Sequence, residues 1–490
     1  MAITSGANSL LMTRYFFDLT GAVWHLRRIQ RFSGIQRTVV MLIDRAAAKL
    51  GAENVWIAYF DRRSGNFRTF PLTALAEGEL IDADALRARL GFGRRQAGLH
   101  PALRKYSERP AKLWFHRKVL QLNALLGRDG PFRHRNTTLA EWRAYHGAAK
   151  NDNNVLQTTD FDRQARPGDK LVLLDGSWTV PKSEAAFRKA KADGLEVWTM
   201  IHDLIPIMAP EFSTDLSSLT FHDWMLKTAN FTTVYLANSE ATKRDLVPFL
   251  QTYGIDRQVL VLPLAQAALP SAPSEPALGP LLAQVNAEAY PRLCDGVGID
   301  DRMRALMAQP FVLCVGTIEV RKNVWRTALA WDRMRAMSGI DLPKLVLAGR
   351  DGWMKSDFDN LMRATGNIGG WIEIFEGPSD TELAFLYRNC LFHLMPSLYE
   401  GWGLPVGEAL SYGKTSVISR VTSLPEVGGD MVEYCDALSI DSIVEACLRL
   451  IRDPRHRQML EARIAATRLR SWDDVGADLV QIIADGQNQP

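Results

Sequence analysis

Two glutamates frame the stretch with the strongest chemical signal. Residues 391–412 read LFHLMPSLYEGWGLPVGEALSY, in which seven residues separate Glu400 from Glu408. The apolar run at its start predicts a buried parallel strand, and the two glycines that follow allow backbone amides to approach a ligand closely. Pro405 is typical of the first position of a helix. A strand, a glycine turn and a helix N-terminus together predict an anion site.

Carboxylates beside an anion site indicate which uncharged groups the ligand carries next to its anionic group. A carboxylate accepts two hydrogen bonds from a vicinal diol, as the acidic residue of a dinucleotide fold does with ribose. Glu400 precedes the predicted helix and Glu408 lies in its second turn, so one sugar can be held on each side of a diphosphate. This pattern favours a nucleotide-sugar site. The alternative is an ordinary glycine turn, with Glu408 on a solvated helix face.

The stretch resembles the Glu-x7-Glu signature of the retaining glycosyltransferases of family 4. Members of that family have the α/β GT-B architecture, two Rossmann-like domains that face a crevice, and bind the donor in the C-terminal domain. The resemblance implies that Glu400 contacts the transferred sugar and orients it, and that Glu408 holds the ribose. It also implies that the amides of Trp402, Gly403 and Leu404 face sugar and phosphate. The expected reaction retains the anomeric configuration.

A pair of cations follows another apolar run, FVLCV at residues 311–315. The next residues, GTIEVRKN, contain Gly316, Thr317, Arg321 and Lys322. Adjacent cations can stabilise the charge that grows on a departing diphosphate where no metal does so, although a surface pair that caps a carbonyl is the alternative. The resembled family uses a basic pair here for the donor diphosphate. Gly316 and Thr317 are expected in the same donor site.

Two further predicted strands end at residues that are candidates for the donor site and for contact with its nucleobase. One ends at Arg350 and the other at a turn that contains Pro378, Ser379 and Asp380. In the resembled family this second turn borders the base. We therefore expect Ser379 and Asp380 at the base edge and Arg350 in the donor site.

The first half of the chain offers a glycine turn and a histidine. Gly34, with Gln36 and Arg37 beside it, precedes a predicted helix, but a glycine turn alone is a weak signal. His202 follows a predicted strand at residues 196–201. A lone histidine is usually structural, yet the carboxyl end of a parallel strand is where such folds bind ligands. The resemblance implies that Gly34 borders donor and acceptor and that His202 contacts the transferred sugar.

The run IHDLIPIMAPEF, which contains His202, narrows the resemblance. It is similar to the mannosyl- and rhamnosyl-transferring members that build bacterial surface polysaccharides. The expected donor is therefore GDP-mannose, with UDP- and dTDP-sugars left open. The expected acceptor is a glycan or a lipid-linked glycan.

The length and composition of the chain limit its possible domain organisation. A chain of 490 residues predicts two domains. We expect an N-terminal acceptor domain over residues 1–265 with a basic insertion at about 70–166, a linker rich in proline and alanine over 266–310, and a donor domain over 311–490 whose last helix crosses back. The net charge of +3 argues against a bulk nucleic-acid binder.

The same composition predicts a cytoplasmic protein. The five cysteines are scattered, which is typical of a reducing compartment. No apolar run approaches the length of a membrane span, and the N-terminus lacks the pattern of a signal peptide. Residues 91–136, however, carry eleven lysines and arginines against two acids, with Trp114 and Phe115 among them. This segment could lie on an anionic membrane surface or pack as a solvated basic insertion.

Three other function classes compete with this interpretation. A metal-dependent transferase needs an Asp-x-Asp ligand pair, and the expected solvation of all such pairs argues for a reaction with neither metal nor cofactor. A nucleotide-sugar epimerase on the same fold and a non-catalytic sugar-nucleotide sensor are the other two. The pairs with the Asp-x-Asp spacing are Asp82 and Asp84, Asp160 and Asp162, and Asp357 and Asp359.

Overall fold

The computed structural model describes most of the chain. The described residues are 13–29, 32–62, 64–92, 103, 110–133, 138, 139, 142, 155–180, 182–268, 285, 286, 289, 293, 296 and 299–485. Much of the predicted linker and the flanks of the basic segment, including Arg94, Arg104 and Arg135, lie outside them. No helix of the described part is long and apolar enough to cross a membrane.

Eight strands form the first sheet, in the order β4-β3-β2-β1-β5-β6-β7-β8. All neighbours are parallel except β2 with β3 and β3 with β4, which are antiparallel. The central strands are buried along their whole length, as expected for a parallel sheet covered by helices on both faces. The strands are β1 (Tyr15–Asp18), β2 (Val55–Asp61), β3 (Asn66–Pro71), β4 (Thr159–Asp160), β5 (Lys170–Leu173), β6 (Glu196–Ile201), β7 (Val234–Ala237) and β8 (Gln258–Val261).

Among the described residues, ten helices lie along this first part of the chain. The helix predicted over residues 38–50 begins four residues earlier, because the Gln36 side chain accepts a hydrogen bond from the Ser33 amide, 3.1 Å away, and caps the first turn. The helices are α1 (Thr20–Leu26), α2 (Gly34–Leu50), α3 (Ala83–Arg89), α4 (Pro110–Leu125), α5 (Gly130–Arg133), α6 (Phe161–Gln164), α7 (Ser183–Ala192), α8 (Ile205–Met208), α9 (Asp215–Thr228) and α10 (Glu240–Thr252).

Six parallel strands form the second sheet, in the order β11-β10-β9-β12-β13-β14. The strand order changes direction between β9 and β12, and ligands bind at such switch points of doubly wound sheets. The predicted α/β class with two Rossmann-like sheets is confirmed. The strands are β9 (Phe311–Val315), β10 (Lys344–Gly349), β11 (Ile372–Glu376), β12 (His393–Met395), β13 (Ser416–Ser419) and β14 (Glu433–Cys435).

The remaining helices of the described residues surround the second sheet, and the last one returns to the first. They are α11 (Asp301–Arg304), α12 (Val324–Arg335), α13 (Ser356–Gly370), α14 (Asp380–Asn389), α15 (Leu404–Ser411), α16 (Leu424–Gly428), α17 (Ile440–Arg452), α18 (Pro454–Ala466) and α19 (Trp472–Asp485). Short 3₁₀ turns occur at Ala52–Asn54, Leu72–Ala74, Ser177–Thr179, Pro210–Phe212, Ala305–Ala308 and Val320–Lys322.

Helix α19 is anchored to the first domain by packing and by a hydrogen bond. Gly476 lies against α2 so closely that a Cβ there would be 2.6 Å from Cβ of Arg45. The Ile483 carbonyl accepts a hydrogen bond from Nζ of Lys170, at the start of β5, over 2.9 Å. The apolar residues of α19 therefore pack in a core cluster that joins residues of the first domain to residues of the second.

Candidate functional site

The carboxyl ends of the two sheets meet at a glycine. Gly401 follows β12 and packs on the backbone after β6, where a Cβ at Gly401 would lie 2.2 Å from the carbonyl oxygen of His202. Only glycine permits this approach. Farther along, the Glu426 carboxylate accepts hydrogen bonds from the amides of Glu240 (2.8 Å) and Ala241 (2.9 Å) at the start of α10. The two domains are thus in direct contact around the predicted site.

Glu400 is the centre of a buried cluster of charges. Its Oε1 lies 2.8 Å from Nη1 of Arg321 and 2.6 Å from Nζ of Lys322. Burial alone raises the pKa of the Glu400 carboxyl, but the two cations outweigh burial and hold this pKa at about 2. Glu400 is therefore ionised, and it accepts hydrogen bonds but does not donate a proton. The structure brings three of the predicted residues together here.

Two glycines make room for this cluster. Gly316 follows β9 with a φ of 141°, and a Cβ there would lie 3.0 Å from Cε of Lys322. The carbonyl oxygen of Gly316 in turn occupies the space where a Cβ on Gly349 would lie, at 1.8 Å. Gly349 was missed by sequence reasoning, although it directly precedes Arg350 at the end of an apolar strand. Thr317 follows Gly316 in the same loop.

Two more carboxylates surround Arg321. Glu319 Oε1 lies 2.7 Å from Nη2 of Arg321, and Asp203 of the first domain contributes a favourable charge interaction. Burial raises the pKa of both carboxyl groups, and Arg321 counteracts that effect. Sequence reasoning missed both acids, although Asp203 directly follows His202. Arg321 is thus compensated by acids from both domains.

His202 is held in one tautomer. Its Nε2 lies 2.8 Å from the Leu174 carbonyl oxygen, and because a carbonyl only accepts, Nε2 carries the proton. Nδ1 keeps a lone pair. Burial lowers the pKa of His202, so the imidazole is neutral at pH 7 and can accept a hydrogen bond through Nδ1.

The second glutamate, Glu408 on α15, lies in a different setting. Its Oε2 accepts a hydrogen bond from the hydroxyl of Tyr387 over 2.7 Å. Burial raises the pKa of Glu408, and the Tyr387 hydrogen bond counteracts this rise. Tyr387 on α14 was not among the predicted residues, because nothing in its local sequence sets it apart from a core tyrosine.

The predicted base-edge residues lie at the start of α14. Ser379 caps this helix, since its Oγ accepts a hydrogen bond from the Glu382 amide over 3.2 Å. Asp380 forms an ion pair with Arg37 of the first domain. Pro378 lies in the turn after β11, and Arg350 lies at the end of β10. Asp380 therefore contacts the opposite domain.

The predicted turn before α15 is present, but the Trp402 side chain does not line it. Its indole Nε1 donates to the Ala265 carbonyl over 3.1 Å and the ring is buried, so only its backbone is left for a ligand. Gly403 precedes α15 with a φ of 114°. Leu404 lies 3.9 Å from where a Cβ on Gly34 would be, which places Gly34 against the same helix start.

The three Asp-x-Asp pairs do not form ligand sets. Asp82 caps α3, Asp160 and Asp162 pair with Arg68 and Lys189, and Asp359 pairs with Lys355. The expectation that all of them are simply solvated was too coarse, since several form surface ion pairs. Within the described ranges, no group of three or more His, Cys, Asp or Glu side chains could hold a metal ion.

The second domain matches a known family model. Residues 301–466 match the model described as Glycosyl transferases group 1. The chain is 35% identical over 167 residues to O-antigen chain mannosyltransferase B of Escherichia coli, covering 34% of this chain and 43% of that protein. It is 35% identical over 111 residues to MMP alpha-(1->4)-mannosyltransferase of Mycolicibacterium hassiacum, covering 22% and 27%. The matches thus span less than half of these relatives.

Solved structures show the same fold over nearly the whole chain. Anabaena HepE in complex with UDP and glucose aligns with a TM-score of 0.54 at 12% identity, covering 96% of this chain and all of that one. A trehalose-6-phosphate protein of E. coli bound with UDP-2-fluoro glucose aligns with a TM-score of 0.51 at 12% identity, covering 96% and 99%. The predicted GT-B architecture is confirmed.

Proposed function

We propose that the chain is a glycosyltransferase, because residues 301–466 match the model described as Glycosyl transferases group 1. It moves a hexose from a nucleotide-sugar to a glycan or a lipid-linked glycan. One observation carries this proposal: Glu400, Arg321 and Lys322 form a buried ion-paired cluster where the carboxyl ends of the two sheets meet. The narrower assignment to the retaining family 4 is part of the proposal.

The donor would be held by four charged residues of the second domain. Glu408 accepts hydrogen bonds from the ribose, Arg321 and Lys322 bind the diphosphate, and Glu400 orients the hydroxyls of the transferred sugar. Charge grows on the diphosphate as the glycosidic bond breaks, and cations already held in place stabilise it without reorganisation. Ion pairing with Glu400 keeps Lys322 in position before the donor arrives.

The same geometry supports retention without a protein nucleophile. Glu400 is committed to two cations, so a covalent bond to the sugar would require breaking both ion pairs. In the proposed reaction the acceptor hydroxyl attacks on the face that the diphosphate leaves. Its proton passes to the departing phosphate oxygen, which leaves as the nucleoside diphosphate. His202, through the Nδ1 lone pair, accepts a hydrogen bond from the transferred sugar.

The proposed donor is GDP-mannose and the proposed setting is bacterial polysaccharide synthesis. Relatives named as mannosyltransferases support mannose as the transferred sugar, and the O-antigen chain in one of these names supports the setting. The direct test is incubation with GDP-, UDP- and dTDP-sugars and a mannose-containing acceptor. We expect transfer from GDP-mannose, a retained anomer by NMR and no loss of activity in EDTA. Transfer from a UDP-sugar alone would reject the mannose assignment, epimer formation without transfer would favour the epimerase, and binding without turnover would favour a sensor.

We further propose that helix α4 holds the enzyme at an anionic membrane. One face of α4 packs inward, where Leu113, Leu120 and Ala124 contact Phe132 and Trp142. The opposite face is exposed although it is apolar. Its large side chains and their exposed fractions are Trp114 63%, Phe115 57%, Leu122 58%, Leu125 85% and, directly after the helix, Leu126 54%.

Cations accompany this apolar face. Lys118 lies within it and Lys112 and Arg117 border it at helical spacing, and all three are exposed. Apolar side chains with flanking lysines and arginines are typical of helices that lie in the membrane interface. Each cation near an anionic leaflet contributes about 1 kcal/mol. A lipid-linked acceptor at the inner face of the cell membrane would then lie within reach.

Sedimentation with liposomes tests this membrane contact. We expect the protein to sediment with anionic liposomes at low salt and to be released at high salt, because salt screens exposed charges. Arg117→Glu combined with Lys118→Glu should abolish sedimentation, and Leu125→Ser should weaken it. The matched control is Arg452→Glu with Arg455→Glu, two exposed cations of the second domain. Equal sedimentation of both double variants would contradict the proposal.

A further inference from the structure

The Tyr387 hydroxyl is the only hydrogen-bond donor that the described residues supply to the Glu408 carboxylate. We propose that Tyr387 positions this carboxylate for the ribose diol of the donor, an inference that rests on the function proposed above. Tyr387 would be a positioning residue, since it acts through Glu408 and does not itself touch the ligand.

The tyrosine ring is fixed by its surroundings. Tyr387 is only 1% exposed. Its ring stacks on that of Tyr412, with centroids 5.4 Å apart and an interplanar angle of 10°. Tyr412 directly follows α15, the helix that carries Glu408. The hydroxyl of Tyr387 is therefore held at one point relative to α15, and a rotation of its ring would break the stack.

This fixed donor determines which carboxylate oxygen is free. The hydrogen bond to Oε2 orients the Glu408 carboxylate and leaves Oε1 without a hydrogen bond from any described residue. A vicinal diol needs an acceptor at a defined place for both of its hydroxyls. If the carboxylate rotated freely, ordering it when the donor binds would cost free energy, and the donor would bind less tightly.

The charge of Glu408 depends on the same hydrogen bond. Burial raises the pKa of Glu408, the Tyr387 hydrogen bond lowers it most among the opposing effects, Arg37 and Lys322 lower it further, and Asp380 raises it. These groups lie on α14, on α2 and in the turn after β9. The pKa of Tyr387 is itself raised well above its usual value by burial, so the phenol remains a donor at every working pH. Without it, the pKa of Glu408 rises further.

Tyr387→Phe is the direct test, because it keeps the ring and removes the donor. Titration with GDP and UDP should show a dissociation constant raised roughly 10- to 100-fold, the range for a hydrogen bond to a charged group. Protonation of Glu408 removes its negative charge, and loss of the Tyr387 hydrogen bond raises the pKa of Glu408 further, so binding by the variant should weaken as pH falls. That decline should set in at a higher pH than in the natural protein.

Matched variants separate positioning from structure. Tyr412→Phe removes the hydroxyl of the other stacked ring, which makes no hydrogen bond to Glu408, and should leave binding unchanged. Glu408→Gln should bind weakly at all pH values, and adding Tyr387→Phe to it should cost nothing more. A 2′,3′-dideoxy nucleoside diphosphate, which lacks the diol, should bind both Tyr387 forms equally.

The possible outcomes separate a failure of the proposed function from a failure of the role proposed for Tyr387. Failure of the natural protein to bind any nucleoside diphosphate would overturn the proposed function and this inference with it. Normal binding by the natural protein, with Tyr387→Phe matching it from pH 6 to 8, would overturn the role of Tyr387 alone. An additive loss in the double variant would assign Tyr387 to general packing and overturn the positioning role.

Discussion

Replacement of Lys322 by alanine is expected to lower kcat by roughly 10²- to 10³-fold, the usual cost of removing one group that stabilises transition-state charge. The Lys322 ammonium is buried and lies 2.6 Å from Oε1 of Glu400. Its positive charge attracts the donor diphosphate most strongly when the glycosidic bond is breaking and negative charge grows on the diphosphate. The dissociation constant of the donor should therefore rise much less than kcat falls.

Steady-state turnover and equilibrium donor binding, measured on the same preparation, separate the two effects. Lys344→Ala is the matched control, since Lys344 also forms an ion pair in the second sheet, with Glu373 over 3.0 Å, but at the amino end of β10. Circular dichroism should show that both variants are folded. A loss of donor affinity as large as the loss of kcat/KM, with kcat preserved at saturation, would assign Lys322 to ground-state binding.

Replacement of Gly401 by alanine should remove activity without unfolding either domain. The added methyl group would lie 2.2 Å from the His202 carbonyl oxygen and 3.0 Å from Cβ of Asp203. The His202 oxygen is a backbone atom and the Asp203 Cβ is bonded directly to the backbone, so neither can turn aside by a change of rotamer. The two sheets therefore have to move apart. A displacement of about 1 Å between reacting groups can cost roughly 10²-fold in rate, and we expect at least that loss.

Small-angle X-ray scattering should show a larger radius of gyration for Gly401→Ala than for the natural protein. Gly130→Ala is the control, because no atom of a described residue lies within 4 Å of where its Cβ would be, and it should alter neither the radius nor the rate. Full activity of Gly401→Ala with an unchanged radius would show that this close contact of the domains is dispensable.

The sequence by itself determined the elements and several charged residues of the site. Short apolar runs predicted buried strands such as β9 because continuous apolar runs are typical of parallel strands covered on both faces. Glu400, Arg321 and Lys322 follow such strands in the chain. The carboxyl ends of parallel strands lie at one edge of a sheet, so their proximity could be expected without a structure.

Only the tertiary structure decided which partners these residues have. Tyr387 reaches Glu408 from another helix, Arg37 pairs with Asp380 across the domains, and Gly401 lies on the backbone of His202. No periodicity or motif spacing encodes these contacts, because each depends on how far two separately formed elements approach in space. The physical reason is that local sequence sets backbone conformation and strand ends, whereas burial, and with it the pKa of Glu408 and of Glu400, arises only when the two sheets and their helices pack together.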